Sequence, residues 1–130
     1  MKQPGLYIVT LKNEHPISVN AHDRRVADKA IKVTQANCKF GKAKVLAGRR
    51  KNYDKTFGAE YVEFTPLAVL QDIAVAEKAI LNKLNAYRIR GRTGRKNEWL
   101  EGIDPADVIA IVRETLVEIG AEYQLISDND

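Results

Sequence analysis

The chain of 130 residues has the length of one domain, and its 45% hydrophobic and 29% charged residues exclude a disordered segment. It has no apolar run near the ~20 residues that cross a bilayer, and its one cysteine, Cys38, excludes an internal disulfide framework. The net charge of +4 hides an asymmetry, because residues 1–97 carry a net +12 and residues 98–130 a net −8. We therefore expect one cytoplasmic domain over residues 1–130 that binds a polyanion.

The first half of the chain is predicted to combine strands and helices. A β-branched and aromatic run predicts a buried strand over residues 5–11, and a shorter strand is expected over residues 37–41. A weak helical pattern covers residues 22–34. A second helix is expected over residues 43–54, after the turn that Gly41 allows.

The second half begins with an alternating pattern that predicts a half-buried strand over residues 59–64. A helix is expected over residues 67–87. Residues 88–96 carry five cations and two glycines, so they are expected to form a loop outside the core. The loop precedes an acidic helix over residues 104–119.

The acidic C-terminal helix has clear boundary signals. Asp104 is the predicted N-cap, Pro105 the first helical residue, and Gly120 follows the last turn. Its apolar stripe consists of Val108, Val112, Leu116 and Ile119. The stripe completes a core, or the helix is a surface for a homodimer or another protein; the sequence leaves these open. Its negative charge predicts a position away from any nucleic acid.

Basic residues concentrate in residues 39–55 and in residues 88–96. Such clusters are typical of proteins that bind nucleic acid, although a solvated basic face is the alternative. The arginine-rich second cluster is expected to follow the DNA backbone with weak sequence preference. The candidate nucleic-acid-binding residues are Lys42, Lys44, Arg50, Arg88, Arg90, Arg92, Arg95 and Lys96.

Two helices carry a charged residue beside an apolar face. Glu77 lies within the apolar stripe of the predicted helix 67–87, where a carboxylate is costly unless it is paired or binds a metal. In the helix over residues 43–54, Arg49 and Arg50 flank the apolar line on opposite sides. A metal or phosphate site and a buried ion pair are both open interpretations.

The ordered motifs resemble those of the GIY-YIG nuclease superfamily. They are Gly5-Leu6-Tyr7, Phe40-Gly41-Lys42-Ala43-Lys44, Arg49, Tyr53, Glu77 and Glu98-Trp99-Leu100. The second motif is similar to the excision-repair member, and the last to a branch common in phages and large viruses. The chain departs from the family by having Lys39 where the second tyrosine is usual, and by an insertion over about residues 14–36.

The resemblance implies an α+β fold with an antiparallel sheet of about three strands, flanked by helices on both sides, plus the extra C-terminal helix. It implies a metal-dependent DNA endonuclease encoded by a phage or a mobile element, such as a homing endonuclease, which would act in the host cytoplasm if phage-encoded. The alternative is a non-catalytic nucleic-acid-binding module on the same scaffold. A third interpretation is an interaction protein that uses the acidic helix.

The resemblance also implies residue roles. Glu77 is expected to hold one Mg²⁺ (or Mn²⁺), and Arg49 to bind the scissile phosphate. Tyr7 is expected to orient or deprotonate the attacking water, with its pKa lowered by Lys39, Arg49 and the cation. Lys39 is expected to replace part of the second tyrosine's role. Asn97, rather than Asn85, is the candidate for the late asparagine of the family.

Overall fold

The computed structural model describes residues 3–91 and 94–126. The fold is α+β, with one antiparallel sheet of six strands in the order β6-β7-β4-β1-β5-β8 and a separate two-stranded sheet, β2-β3. The strands are β1 (Gly5–Leu11), β2 (Ile17–Ser18), β3 (Lys32–Val33), β4 (Asn37–Ala43), β5 (Val62–Val69), β6 (Arg88–Arg90), β7 (Lys96–Glu101) and β8 (Gln124–Leu125). The helices are α1 (Arg49–Phe57), α2 (Ile73–Lys83) and α3 (Pro105–Glu118), with 3₁₀ turns at Ala59–Tyr61 and Asn85–Tyr87.

The sheet separates two hydrophobic cores because successive side chains of β1 point to opposite faces. Leu6 and Ile8 face α2 and α3, which pack on one side of the sheet. Tyr7 and Val9 face the other side, where α1 contributes Tyr53 and further apolar residues. Helices therefore flank both faces, as predicted, and β1 is buried on both sides by its central position.

The sheet is larger than the three strands expected. Residues 88–96, predicted to be a loop, instead contribute β6 and the beginning of β7. The hairpin is held by backbone pairing and by Arg88, whose side chain donates to the carbonyls of Asn97 and Lys96 at 2.8 and 3.2 Å. A high local charge therefore did not prevent strand formation, because backbone pairing leaves these cations free to face solvent or backbone carbonyls.

Several predicted boundaries were wrong. The helix expected over residues 22–34 is absent; residues 24–29 form successive turns, and Val26 is exposed. The short apolar stripe of this segment does not pack as a helix, and Val33 instead joins the second core from β3. The helix α1 begins at Arg49 rather than residue 43, because β4 continues to Ala43 and Gly48 adopts a left-handed backbone (φ 85°) at the N-cap.

The strand predicted over 59–64 runs instead from Val62 to Val69, which delays the start of α2 to Ile73. The C-terminal helix confirms the boundary signals: Asp104 is at the N-cap position, Pro105 begins α3, and Gly120 has a left-handed backbone (φ 67°). Among residues 3–91 and 94–126, no helix is long and apolar enough to cross a membrane.

Candidate active site

A basic cleft of about 590 Å³ opens on the α1 side of the sheet. Its walls are α1, the hairpin β6–β7 and the residues just after β2, with β4 beneath them. The lining contains five cations (Lys39, Arg49, Arg88, Arg95 and Lys96) and one acid, Glu98. The excess of positive charge suits a phosphate-bearing ligand. The acidic helix α3 packs on the opposite face of the sheet, away from this cleft.

Arg49 and Tyr53 bring two polar groups to the buried hydroxyl of Tyr7. The two tyrosine hydroxyls lie 2.5 Å apart, and Arg49 Nε donates to the Tyr7 hydroxyl at 3.4 Å. Arg49 and Tyr53 lie four residues apart in α1 and therefore share one helix face. Arg49 is thus the inward-facing arginine. Arg50 is exposed and pairs with Asp54, with 3.5 Å between Nε and Oδ1.

The ionisation of Tyr7 differs from the expectation. Burial raises the pKa of Tyr7 to about 12, and this outweighs the nearby Lys39 charge and the Arg49 hydrogen bond, both of which lower it. Burial also raises the pKa of Tyr53. The prediction of a lowered Tyr7 pKa was therefore wrong for the protein alone. At neutral pH Tyr7 is therefore an uncharged phenol whose hydroxyl is held by Tyr53 and Arg49.

Lys39 lies on the cleft face of β4, between an acid and an aromatic ring. Its Nζ is 3.8 Å from Glu98 Oε2 and 5.0 Å from the centre of the Tyr53 ring. Tyr53 therefore places a second phenol beside Tyr7, while Lys39 lies against its ring. The sequence identified Tyr53 only through its spacing and its apolar face, and it missed the contribution of Glu98 to the cleft.

Asn97 lies in the cleft lining, whereas Asn85 is exposed in the 3₁₀ turn after α2. Asn97 is therefore close to Lys39 and Arg49 in the cleft, and its role as the late asparagine stays a prediction. The neighbouring Trp99 is buried and packs edge-on against Phe57, with ring centres 5.5 Å apart. Trp99 therefore anchors the core and positions β7, and does not offer a stacking surface to a base.

Glu77 does not join Tyr7 and Arg49 on one face of the sheet. It is 8% exposed on α2, and its Oε1 lies 2.5 Å from the Nζ of Lys42. Lys42 and Lys39 are three residues apart on β4, so their side chains leave opposite faces. The buried ion pair is thus the contact that the structure contains. The described parts of the chain hold no group of 3 or more His, Cys, Asp or Glu side chains placed to bind a metal.

Tyr7 and Glu77 nevertheless approach the same stretch of β4 from its two sides. Tyr7 pairs with Gly41 in the sheet, and a Cβ built on Gly41 would lie 2.6 Å from the Tyr7 hydroxyl. The next residue is Lys42, which reaches Glu77. The register between β7 and β4 runs from Asn37 to Lys39, so Gly41 and Lys42 lie beyond the paired stretch. Tyr7 and Glu77, the two halves of the predicted site, therefore lie on opposite faces of the sheet at the part of β4 that β7 does not pair with.

The other predicted nucleic-acid-binding residues are distributed unevenly. Arg95 and Lys96 line the cleft, and Lys44 is exposed after β4. Arg90 donates to the Gly94 carbonyl at 3.3 Å within the hairpin, and Arg92 lies outside the described residues.

Comparison with family models, curated proteins and solved structures found no match. The resemblance to the GIY-YIG nucleases stays a prediction.

Replacing Gly41 by alanine is expected to displace Tyr7, because the new methyl group would meet its hydroxyl at 2.6 Å. Overpacking of a buried site costs about 1–3 kcal/mol, which urea unfolding would detect. Gly91→Ala is the matched control, since its Cβ meets nothing closer than 3.5 Å and neither glycine has a positive φ. Equal stability of the two variants would contradict the proposed close approach of Tyr7 to the strand.

Proposed function

We propose that this protein is a metal-dependent endonuclease that hydrolyses DNA phosphodiester bonds at the edge of β4. The observation that supports this is the placement of Tyr7 over Gly41. Its hydroxyl is held by Tyr53 and Arg49 on one side of the strand, and Glu77 reaches the adjacent residue from the other side. A phosphate at this edge would meet the Arg49 guanidinium in the cleft, beside the buried phenol of Tyr7 and, across the strand, the buried carboxylate of Glu77.

Arg49 is proposed to bind the scissile phosphate. Its Nε already donates to Tyr7, and the side chain lies in the cleft lining. The hydrogen bond to Tyr7 raises the pKa of Arg49, so the guanidinium stays charged at any working pH. A fixed guanidinium stabilises the negative charge that develops on the phosphoryl oxygens during attack.

Tyr7 is proposed to orient the attacking water through a hydrogen bond. As an uncharged phenol it both accepts from Arg49 and exchanges a hydrogen bond with Tyr53. Those two contacts fix the direction of its hydroxyl. Asn97 and Lys39, also in the cleft, are proposed to contact the phosphate or the leaving strand.

Glu77 is the residue that would hold a divalent cation. Mg²⁺ often takes one carboxylate together with substrate phosphate oxygens and several waters, so a single glutamate suffices. In this structure Lys42 is the positive partner of Glu77. Its side chain is 38% exposed, so it would turn towards solvent when a cation takes its place beside Glu77. The ion, when bound, supplies charge stabilisation at the phosphate.

A non-catalytic nucleic-acid-binding module is the second candidate, and one observation favours it. The carboxylate of Glu77 is already neutralised by Lys42 at 2.5 Å, which is the pairing expected of a structural ion pair. In that case the cleft binds the phosphate backbone, and Glu77 stabilises the contact between α2 and the sheet.

Cleavage of supercoiled plasmid is expected to require Mg²⁺ or Mn²⁺, to stop in EDTA, and to fall at least about a hundredfold in Glu77→Ala and Glu77→Gln. Glu118→Ala is the matched control, because it removes another glutamate that is 2.5 Å from a lysine, Lys83, on an exposed surface. Glu118→Ala should cut at the wild-type rate. Folded wild-type protein that binds DNA without cutting it, or a Glu77→Gln variant that cuts normally, would overturn the nuclease proposal.

A further inference from the structure

The segment between β1 and β4, residues 14–36, is a fixed wall of the cleft. The buried side chain of Asn13 donates to the carbonyls of His15 and Val33 at 2.8 and 3.0 Å, which ties the two ends of the segment together. Within it, Ser18 Oγ donates to the Ala27 carbonyl at 2.7 Å. These bonds, with the β2–β3 pairing, join the two ends of the segment and cross-link it internally.

The same segment is attached to α1. The ring of His22 hydrogen-bonds the Lys55 carbonyl in the last turn of the helix. Val19 packs against the second core, and both Val19 and Asn20 line the cleft. Arg95 and Lys96 of the hairpin also line the cleft. The segment and the hairpin therefore border the cleft together with α1.

The size of this cleft favours one strand over two. Its volume of about 590 Å³ is that of a site enclosing a small ligand, typically ~300–1,000 Å³. One or two nucleotides fill such a space. A base pair carries two backbones and stacks on further pairs, so a duplex would need more space than one strand to reach Lys39 and Arg49 in this cleft.

Two exposed side-chain amides are among the groups that line the cleft. Asn20 belongs to the segment, and Asn52 lies in α1 between Arg49 and Thr56. Neither amide is hydrogen-bonded to another residue within the described ranges. A carboxamide offers two donors and an acceptor, which match the edge of an unpaired base.

We propose that the cleft binds an unpaired strand of nucleic acid, and that Asn20 contacts the nucleotide whose phosphate Arg49 binds. The inference rests on the proposed function for the position of the phosphate. It adds a substrate class, single-stranded or locally opened DNA, and assigns the segment over residues 14–36 a role in selecting it.

The test is fluorescence anisotropy in EDTA, so that binding is separated from cleavage, with a labelled single strand of about 12 nucleotides and the blunt duplex of the same sequence. The single strand is expected to bind wild type about tenfold more tightly than the duplex. Asn20→Ala should weaken single-strand binding about fivefold. Asn20→Asp should weaken it further, because its charge repels phosphate. Neither variant should change duplex binding.

Asn82→Ala is the matched control, since Asn82 is exposed on α2 across the sheet. It should bind both probes as wild type does. Equal affinity for the two probes, or no effect of Asn20→Asp, would overturn this inference even if the plasmid is cut. Single-strand binding that depends on Asn20, without any cleavage, would support the inference and overturn the nuclease. If the wild-type protein binds neither probe, this inference is overturned, and the plasmid assay alone decides the nuclease.

Discussion

Replacing Arg49 by alanine is expected to slow DNA cleavage by about a thousandfold, the loss typical of a guanidinium that stabilises a transferring phosphoryl group. The side chain lies in the cleft and donates to the Tyr7 hydroxyl, so one change removes both the proposed phosphate ligand and a contact of the phenol. Arg49→Lys keeps the charge but not the planar fork. It is expected to recover only a small part of the rate. Single-turnover cleavage with protein in excess measures the effect.

Arg50→Ala provides the matched control within the same helix. Arg50 was a candidate nucleic-acid-binding residue, but it does not line the cleft; it pairs with Asp54 and donates to the Val62 carbonyl at 3.3 Å. Its loss removes the same charge one residue away. Because salt and water screen an exposed charge outside the cleft, the cleavage rate is expected to change by no more than about twofold. Equal losses in the two variants would mean that general positive charge, and not a specific contact of Arg49, assists the reaction.

The parts of the fold that the sequence predicted are those with local causes. The run of apolar residues in β1 needs no partner to be recognised, and Asp104, Pro105 and Gly120 mark α3 by their own backbone preferences. The number of strands has no such local cause. Strand β6 has three residues, β8 has two, and both exist through pairing with distant segments.

The candidate site was predictable in composition but not in arrangement. The spacing of Arg49 and Tyr53 places both on one face of α1, and alternation along β4 sends Lys39 and Lys42 to opposite sides. Which face α2 covers is decided by tertiary packing, so the sequence did not show that Glu77 meets Lys42 on the side away from Tyr7. Nor did it show that burial, rather than nearby charge, determines the pKa of Tyr7.

Replacing Arg95 and Lys96 together by glutamine is expected to flatten the dependence of DNA binding on salt. Each phosphate contact that is lost reduces the slope of log affinity against log salt by about 0.9 for a duplex and about 0.7 for a single strand. Both residues line the cleft in the hairpin β6–β7. The double variant should therefore lose about 1.4 in slope with the single-stranded probe, if both side chains contact phosphate. Anisotropy titrations over a series of salt concentrations measure it.

The control removes the same net charge from the other side of the sheet. Lys78 on α2 and Arg113 on α3 are exposed, and both helices pack on the face away from the cleft. Lys78→Gln with Arg113→Gln should leave the slope unchanged, because counterions are released only where the protein contacts the strand. If both double variants flatten the slope equally, the net charge of the protein drives binding and the cleft has no special part in it. A change confined to Arg95 and Lys96 would instead place the backbone of the bound strand along the hairpin, beside Arg49.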